Sequence, residues 1–147
     1  MGNNETRTDL PENFDGLKKS INRTSNWRER LDAVEELGQW KSKQTIELLK
    51  HSMIGDSVYK VQEAAYRKLQ ALGEKVTMPE RKNGELIKGT KKILVRIKKS
   101  LPENHSYKDF KEKVKKMRLD LYDTYEGDKG ADFDKWLEET WSTLTTR

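Results

Sequence analysis

The sequence contains no cysteine among its 147 residues. Disulfide bonds and metal sites built on thiolates are therefore excluded. It has only two histidines, His51 and His105, and no zinc-protease motif, glycine-rich phosphate loop or nucleophile motif accompanies them. We therefore expect no bound metal, no cofactor and no catalytic residues, and we predict that the protein is not an enzyme.

Long apolar runs are also missing. Hydrophobic residues make up 33% of the chain and charged residues 37%, and no stretch approaches the ~18 apolar residues that a membrane-spanning helix needs. Aromatic residues are not scarce, because four Trp, five Tyr and three Phe are present. This content argues against disorder, since aromatic side chains bury large areas. We expect a folded cytoplasmic protein with no membrane span, preceded by a polar, disordered leader at residues 1–10.

Apolar residues recur at three- and four-residue spacings throughout the chain, and no segment alternates as a strand does. This pattern predicts an all-α protein of seven helices. Four helices fall in residues 11–78 and three in residues 85–147, with a linker at 79–84 where Pro79 and the Asn83-Gly84 pair interrupt the periodicity.

Local signals predict several helix ends. Ser25 or Asn26 is expected to cap the second helix, and Asp56 the fourth. A fifth helix is expected over about Glu85 to Ser100, before Pro102. The sixth begins with a capping box at Ser106–Asp109 and extends its apolar stripe to Tyr125. The segment EGDKGAD is then expected to form a turn, with Asp132 capping the last helix.

An internal repeat is present. A shift of 32 residues aligns NWRERLDAVEELGQW (26–40) with VYKVQEAAYRKLQAL (58–72), so that aromatic, small and large side chains recur in the same order. The paired positions are Trp27 and Tyr59, Ala33 and Ala65, Leu37 and Leu69, and Trp40 and Leu72. Helix pairs that repeat at this period are typical of α-solenoids, in which each repeat buries its apolar face against its neighbours.

Residues Trp27–Gly73, about a third of the chain, resemble the HEAT family of armadillo-type helical repeats, in its short bacterial, lyase-type form. In that family an Asp opens a turn and a Val-Arg pair precedes an Ala-rich helix. Asp56 matches the Asp, and Val61-Gln62 stands in the place of Val-Arg. In the first copy Arg30 holds the Arg position, while Glu29 replaces the Val. The resemblance implies a truncated solenoid of about two helix pairs, and we expect residues 85–147 to cap it as a three-helix region.

In such repeats the second helix of each pair lines the concave side, where partners bind. The resemblance therefore implies a non-enzymatic protein-interaction or scaffold module. Its protein partner is expected to contact Gln44, Glu47, Lys50 and His51.

Charge is distributed unevenly along the chain. Residues 81–118 carry 14 basic and four acidic side chains, net +10, whereas residues 119–147 carry three basic and eight acidic ones, net −5. The alternative function is therefore binding of nucleic acid or another polyanion through two basic helix faces. The predicted binding residues are Lys88, Lys91, Lys92, Arg96, Lys99, Lys108, Lys111, Lys115 and Arg118.

A competing interpretation is that these residues form an ordinary solvated surface, partly neutralised by the acidic last helix through Asp132, Asp134, Glu138 and Glu139. Lysine is more frequent than arginine in this region, which favours contacts to phosphate over the reading of bases.

Overall fold

The structure is a computed structural model, and it describes residues 9–23, 26–81 and 84–145. The predicted leader at 1–10 lies almost entirely outside these ranges, as do Ser25 and Asn83. Within these ranges the regular secondary structure is helical and includes no strand, which confirms the predicted all-α class. The helices are α1 (Phe14–Ile21), α2 (Trp27–Leu37), α3 (Lys43–Gly55), α4 (Tyr59–Ala71), α5 (Thr90–Lys99), α6 (Tyr107–Met117), α7 (Leu119–Lys129) and α8 (Phe133–Thr143).

The chain divides into two compact units, with the division after Arg81. Each unit has an apolar core of its own. The first contains α1–α4 and the second contains α5–α8. Within its described residues the second unit thus has four α-helices where three were predicted.

The first unit buries seven of the eight positions that the internal repeat pairs, and Tyr59 is the one that is only partly buried. Ala33 and Ala65 are 2% and 0% exposed, and Leu37 and Leu69 are both fully buried. In this unit α4 packs against both α2 and α3, and α1 packs against α2. Because the side chains of these two buried alanines are small, the helices can pack closely at both positions. The repeat thus marks core positions in both copies, while the solenoid itself stays a prediction.

Polar side chains cap the starts of α2 and α3. Asn26 accepts a hydrogen bond from the Glu29 N–H at 3.1 Å, and Ser42 forms a capping box with Thr45. The prediction for Asp56 was wrong, because Val58 occupies the N-cap position of α4. Asp56 instead accepts from the Val58 N–H at 2.8 Å, two residues on, and so holds the turn before α4.

The second unit is built around aromatic side chains. Phe110 is fully buried, and Tyr122 packs edge-on against Phe133 with ring centroids 5.0 Å apart. Tyr125 stacks on Trp136 at 4.5 Å. These contacts lie within the unit, and they account for the aromatic stripes in its sequence.

The start of α5 differs from the prediction. The helix begins at Thr90 rather than near Glu85, because Gly89 adopts a left-handed conformation with φ of 77°. The segment before it is tied to α7, since the Leu86 N–H donates to the Tyr125 hydroxyl at 3.0 Å. Apolar spacing continues across Gly89, so periodicity could not locate the boundary.

The predicted sixth helix is in fact two helices. Arg118 has non-helical angles (φ −138°, ψ 69°) and separates α6 from α7. Met117 at the break is 49% exposed, although Val114 and Leu121 on either side are buried. The break therefore lets both apolar stripes face the same core.

The predicted EGDKGAD turn was also largely wrong. α7 continues to Lys129, and only Gly130–Asp132 leave it, as a short 3₁₀ turn. Gly127 is buried within α7. Asp132 precedes α8, but its side chain makes no capping hydrogen bond.

Candidate functional site

Five cations lie on and just before α5, on the side that faces away from the core. Leu94 and Ile97 are buried on the core side of the helix. The opposite side carries cations at three- and four-residue spacings, all of them exposed to solvent. We call this set the α5 basic face: Lys88, Lys91, Lys92, Arg96 and Lys99.

The α5 basic face lines a shallow groove of about 710 Å³ together with Glu85, Gly89 and Val95. Val95 is partly buried and supplies an apolar strip between the cations. Glu85 is the one acidic residue among the described lining residues. Its carboxylate accepts from the backbone N–H of Lys91 at 3.4 Å, at the start of α5. The groove thus joins an apolar strip to a high density of positive charge.

No cation of the α5 basic face forms an ion pair within the part of the chain that the structure describes. Lys98, on the same helix, differs because its ammonium donates to the carbonyls of Trp141 and Leu144 at 2.7 and 3.0 Å. Lys98 therefore has a structural role, which its neighbours on the exposed face lack.

The basic residues of α6 are in a different situation. Lys111 pairs with Asp134 of α8 at 2.6 Å, and the Arg118 guanidinium donates two hydrogen bonds, of 3.0 and 2.9 Å, to Asp120. The Lys115 ammonium lies 5.5 Å from the centre of the Tyr122 ring. Of the four residues predicted at 108–118, Lys108 alone makes no such contact among the described residues.

The protonation of the paired groups reflects these contacts. The hydrogen bond from Lys111, followed by that from Tyr107, lowers the pKa of Asp134 below its ordinary value. The pKa of Lys111 is raised, chiefly by the same bond to Asp134. The hydrogen bond between Arg118 and Asp120 raises the pKa of the former and lowers that of the latter.

The predicted basic surface thus divides in two. On α6, acidic and aromatic neighbours engage three of the four predicted residues, as the solvated-surface interpretation anticipated for Asp134. On α5 all five predicted residues remain exposed, with their charges uncompensated within the described residues.

In the first unit, the predicted partner-binding residues Gln44, Glu47, Lys50 and His51 are all exposed on α3. Lys50 forms an ion pair with Glu74 at 3.1 Å. The prediction missed Ile54, which lies one turn further along α3 and is 72% exposed. Its position outside the stripe of Leu49 and Met53 was the available signal.

A contact made by Tyr125 was also missed in the sequence analysis. This contact positions the start of the α5 basic face. The Tyr125 hydroxyl lies 2.9 Å from Thr90 Oγ1 and accepts from the Leu86 N–H. It thereby holds both ends of the segment that carries Lys88. No local pattern relates Tyr125 to residues 35 and 39 positions earlier.

Within residues 9–23, 26–81 and 84–145, no helix combines the length and the apolar character needed to cross a bilayer. In the same ranges the His, Asp and Glu side chains form no group of three or more that could hold a metal ion.

Comparison of the chain with family models, curated proteins and solved structures finds no match in any of the three. The likeness of Trp27–Gly73 to HEAT repeats therefore stays a prediction, and the case for function rests on the geometry of the exposed residues.

Proposed function

We propose that this protein is a non-enzymatic polyanion-binding protein that holds the phosphate backbone of a nucleic acid on its α5 basic face. The observation that carries the proposal is the contrast between the two basic helices. Intramolecular contacts engage three of the six basic residues at 108–118, whereas none of the five cations of the α5 basic face forms an ion pair in the described residues. Unpaired, exposed lysines contribute to affinity because they release counterions from nucleic acid when they bind phosphate.

The clustering of cations on α5 lowers the stability of the helix taken by itself. Within α5, Lys92 and Arg96 are four residues apart, and like charges at this spacing destabilise a helix by about 0.2–0.5 kcal/mol. Lys91 and Lys92 lie in the first turn, where the helix dipole disfavours cations, and no acidic residue occupies that turn. Departures from local stability of this kind are typical of functional surfaces.

The test is salt-dependent binding of a labelled nucleic acid, followed by fluorescence anisotropy. Wild type is compared with a triple variant of α5, Lys92→Gln/Arg96→Gln/Lys99→Gln. The matched control, Lys108→Gln/Lys113→Gln/Lys116→Gln, removes the same charge from α6 but spares Lys111. Glutamine keeps a high helix propensity, so both variants should fold.

We expect the α5 variant to bind at least about tenfold more weakly and to lose about one unit of salt slope per phosphate contact. The α6 variant should retain most of the affinity. Absence of binding at about 50 mM salt, or equal weakening by the two variants, would overturn the proposal.

A second candidate function is that of a protein-interaction module of the HEAT-like type, acting through the exposed side of α3. The observation that favours it is the 72% exposure of Ile54 beside Lys50 and His51. A large apolar side chain surrounded by polar ones is typical of an anchor residue at a protein interface.

This candidate predicts that Ile54→Asp and the charge reversal Glu47→Lys/Lys50→Glu change the set of proteins captured from native cells. The control is Leu119→Asp, which changes an exposed apolar residue of the second unit. An identical captured set from wild type and the α3 variants would count against an interface on α3.

A further inference from the structure

We infer that the ligand of the α5 basic face is double-stranded DNA, held across its major groove through both phosphate backbones and without reading of base sequence. This inference rests on the proposed function and specifies its ligand.

The width of the α5 basic face indicates two rows of phosphates. At about 100° per residue, Lys91 and Arg96 lie about 140° apart around the helix and mark its two edges. Lys92, Lys99 and Val95 fall between them. A single strand laid along the helix would reach the middle of this arc and leave the edges in water. The major groove of B-DNA admits an α-helix, and phosphate backbones border that groove on both sides.

The chemistry of the groove argues against recognition of single strands. Proteins that bind single strands without sequence preference stack the bases on aromatic rings. Among the described residues that line this groove none is aromatic, and Val95 is the only large apolar one. A ligand whose bases are already stacked on one another needs no such platform.

The same residues argue against reading of sequence. Adenine is read in the major groove chiefly by Asn or Gln, and guanine by bidentate Arg. The described lining contains no Asn or Gln, and its one arginine, Arg96, lies at the edge of the arc, where a backbone runs. The lysines are suited to phosphate as point charges. Duplex RNA is disfavoured because its major groove is too deep and narrow for side chains to enter.

The experiment measures anisotropy of four labelled ligands of equal length at two salt concentrations. The ligands are two DNA duplexes of unrelated sequence, one DNA single strand and one RNA duplex, each of about 20 base pairs or nucleotides, close to two helical turns. We expect both DNA duplexes to bind equally, and at least about tenfold more tightly than the single strand or the RNA. The expected slope of log K against log salt for DNA is about −4.5, for five contacts. It should fall to about −1.8 in the α5 triple variant, because three contacts are lost.

The possible failures are distinguishable. Equal or tighter binding of the single strand would overturn the duplex inference but leave the proposed function standing. Equal binding of duplex RNA would overturn the placement in the major groove. A difference of more than about tenfold between the two DNA sequences would overturn recognition without base reading. Absence of binding to all four ligands would overturn both the inference and the proposed function.

Discussion

Arg30 and Asp56 form a buried, two-pronged ion pair in the first unit. The Arg30 Nε and Nη2 atoms lie 2.9 and 3.2 Å from the two carboxylate oxygens, and the side chains are 5% and 3% exposed. Arg30 also donates to the Arg23 carbonyl at 2.7 Å. The pair joins the middle of α2 to the turn between α3 and α4, so that one contact connects three helices.

Removal of either partner should destabilise the first unit strongly. We expect Asp56→Asn or Arg30→Met each to lower the free energy of unfolding by about 3–5 kcal/mol, because each leaves a buried charge or polar group uncompensated. Arg30→Met/Asp56→Asn should cost much less than the sum of the single changes. Urea unfolding followed by tryptophan fluorescence would measure this, and additive single and double changes would contradict the coupling.

Replacement of Ala65 by Leu should destabilise the first unit by about 1–3 kcal/mol, because the site is fully enclosed and a larger side chain overpacks it. Ala33→Leu should behave alike, since the repeat places it at the equivalent position. Ala71→Leu is the control, because Ala71 lies on the same helix and is exposed. Unchanged urea midpoints for both buried variants would contradict the assignment of these residues to helix contacts.

The contact of Tyr107 and Lys111 with Asp134 predicts a loss of stability at both ends of the pH scale. The pKa of Asp134 is lowered from its ordinary 3.8 by hydrogen bonds from Lys111 and Tyr107, so its contribution is present above that pH and is lost as pH falls through the lowered value. The pKa of Tyr107 is raised from 10.0 by burial and by its bond to Asp134. Its contribution is present below pH 10.0 and is lost as pH rises through the raised value.

Asp134→Asn measures this contribution. The difference in unfolding free energy between wild type and the variant should be largest near neutral pH and should shrink below pH 3.8. Because Asp134 is largely exposed, the maximum should be about 1 kcal/mol or less. The alkaline phenolate titration, corrected with Tyr107→Phe, should shift to lower pH in the variant. If the difference in unfolding free energy between wild type and variant is the same at every pH, the contact of Asp134 with Lys111 and Tyr107 is not its source.

Removal of the Tyr125 hydroxyl should loosen the segment before α5. Tyr125→Phe keeps the ring that stacks on Trp136 but removes the acceptor for the Leu86 N–H and the partner of Thr90. We expect a loss of about 1–3 kcal/mol and faster hydrogen exchange at Leu86. Tyr66→Phe is the control, because that hydroxyl bonds the exposed Gln70 and its loss should change stability by less than about 0.5 kcal/mol. Equal effects of the two changes would contradict the role of Tyr125.

Helix starts that depend on nearby side chains could be predicted from the sequence. Asn26 and Ser106 cap helices as predicted, because a cap depends on a side chain and a backbone N–H only three residues away. The break at Arg118 was missed because the apolar spacing continues through it, and only packing of both stripes on one core requires the chain to turn there.

The candidate site was predicted only in part for a similar reason. Periodicity placed the five cations of the α5 basic face on the exposed side, since exposure follows from the opposite apolar stripe. Which of the predicted basic residues are neutralised depends on where α8 lies, because Asp134 reaches Lys111 only through the packing of the second unit. The division of the basic surface is therefore a tertiary property, and charge counting along the chain could not reveal it.

The two separate apolar cores have a consequence for cooperativity. Each unit excludes water from its own interior, so unfolding of the chain need not be one all-or-none transition. Trp27 and Trp40 lie in the first unit, and Trp136 and Trp141 in the second. Each unit therefore carries its own pair of tryptophans, and two peaks in a heat-capacity trace are the expected sign that the units unfold separately.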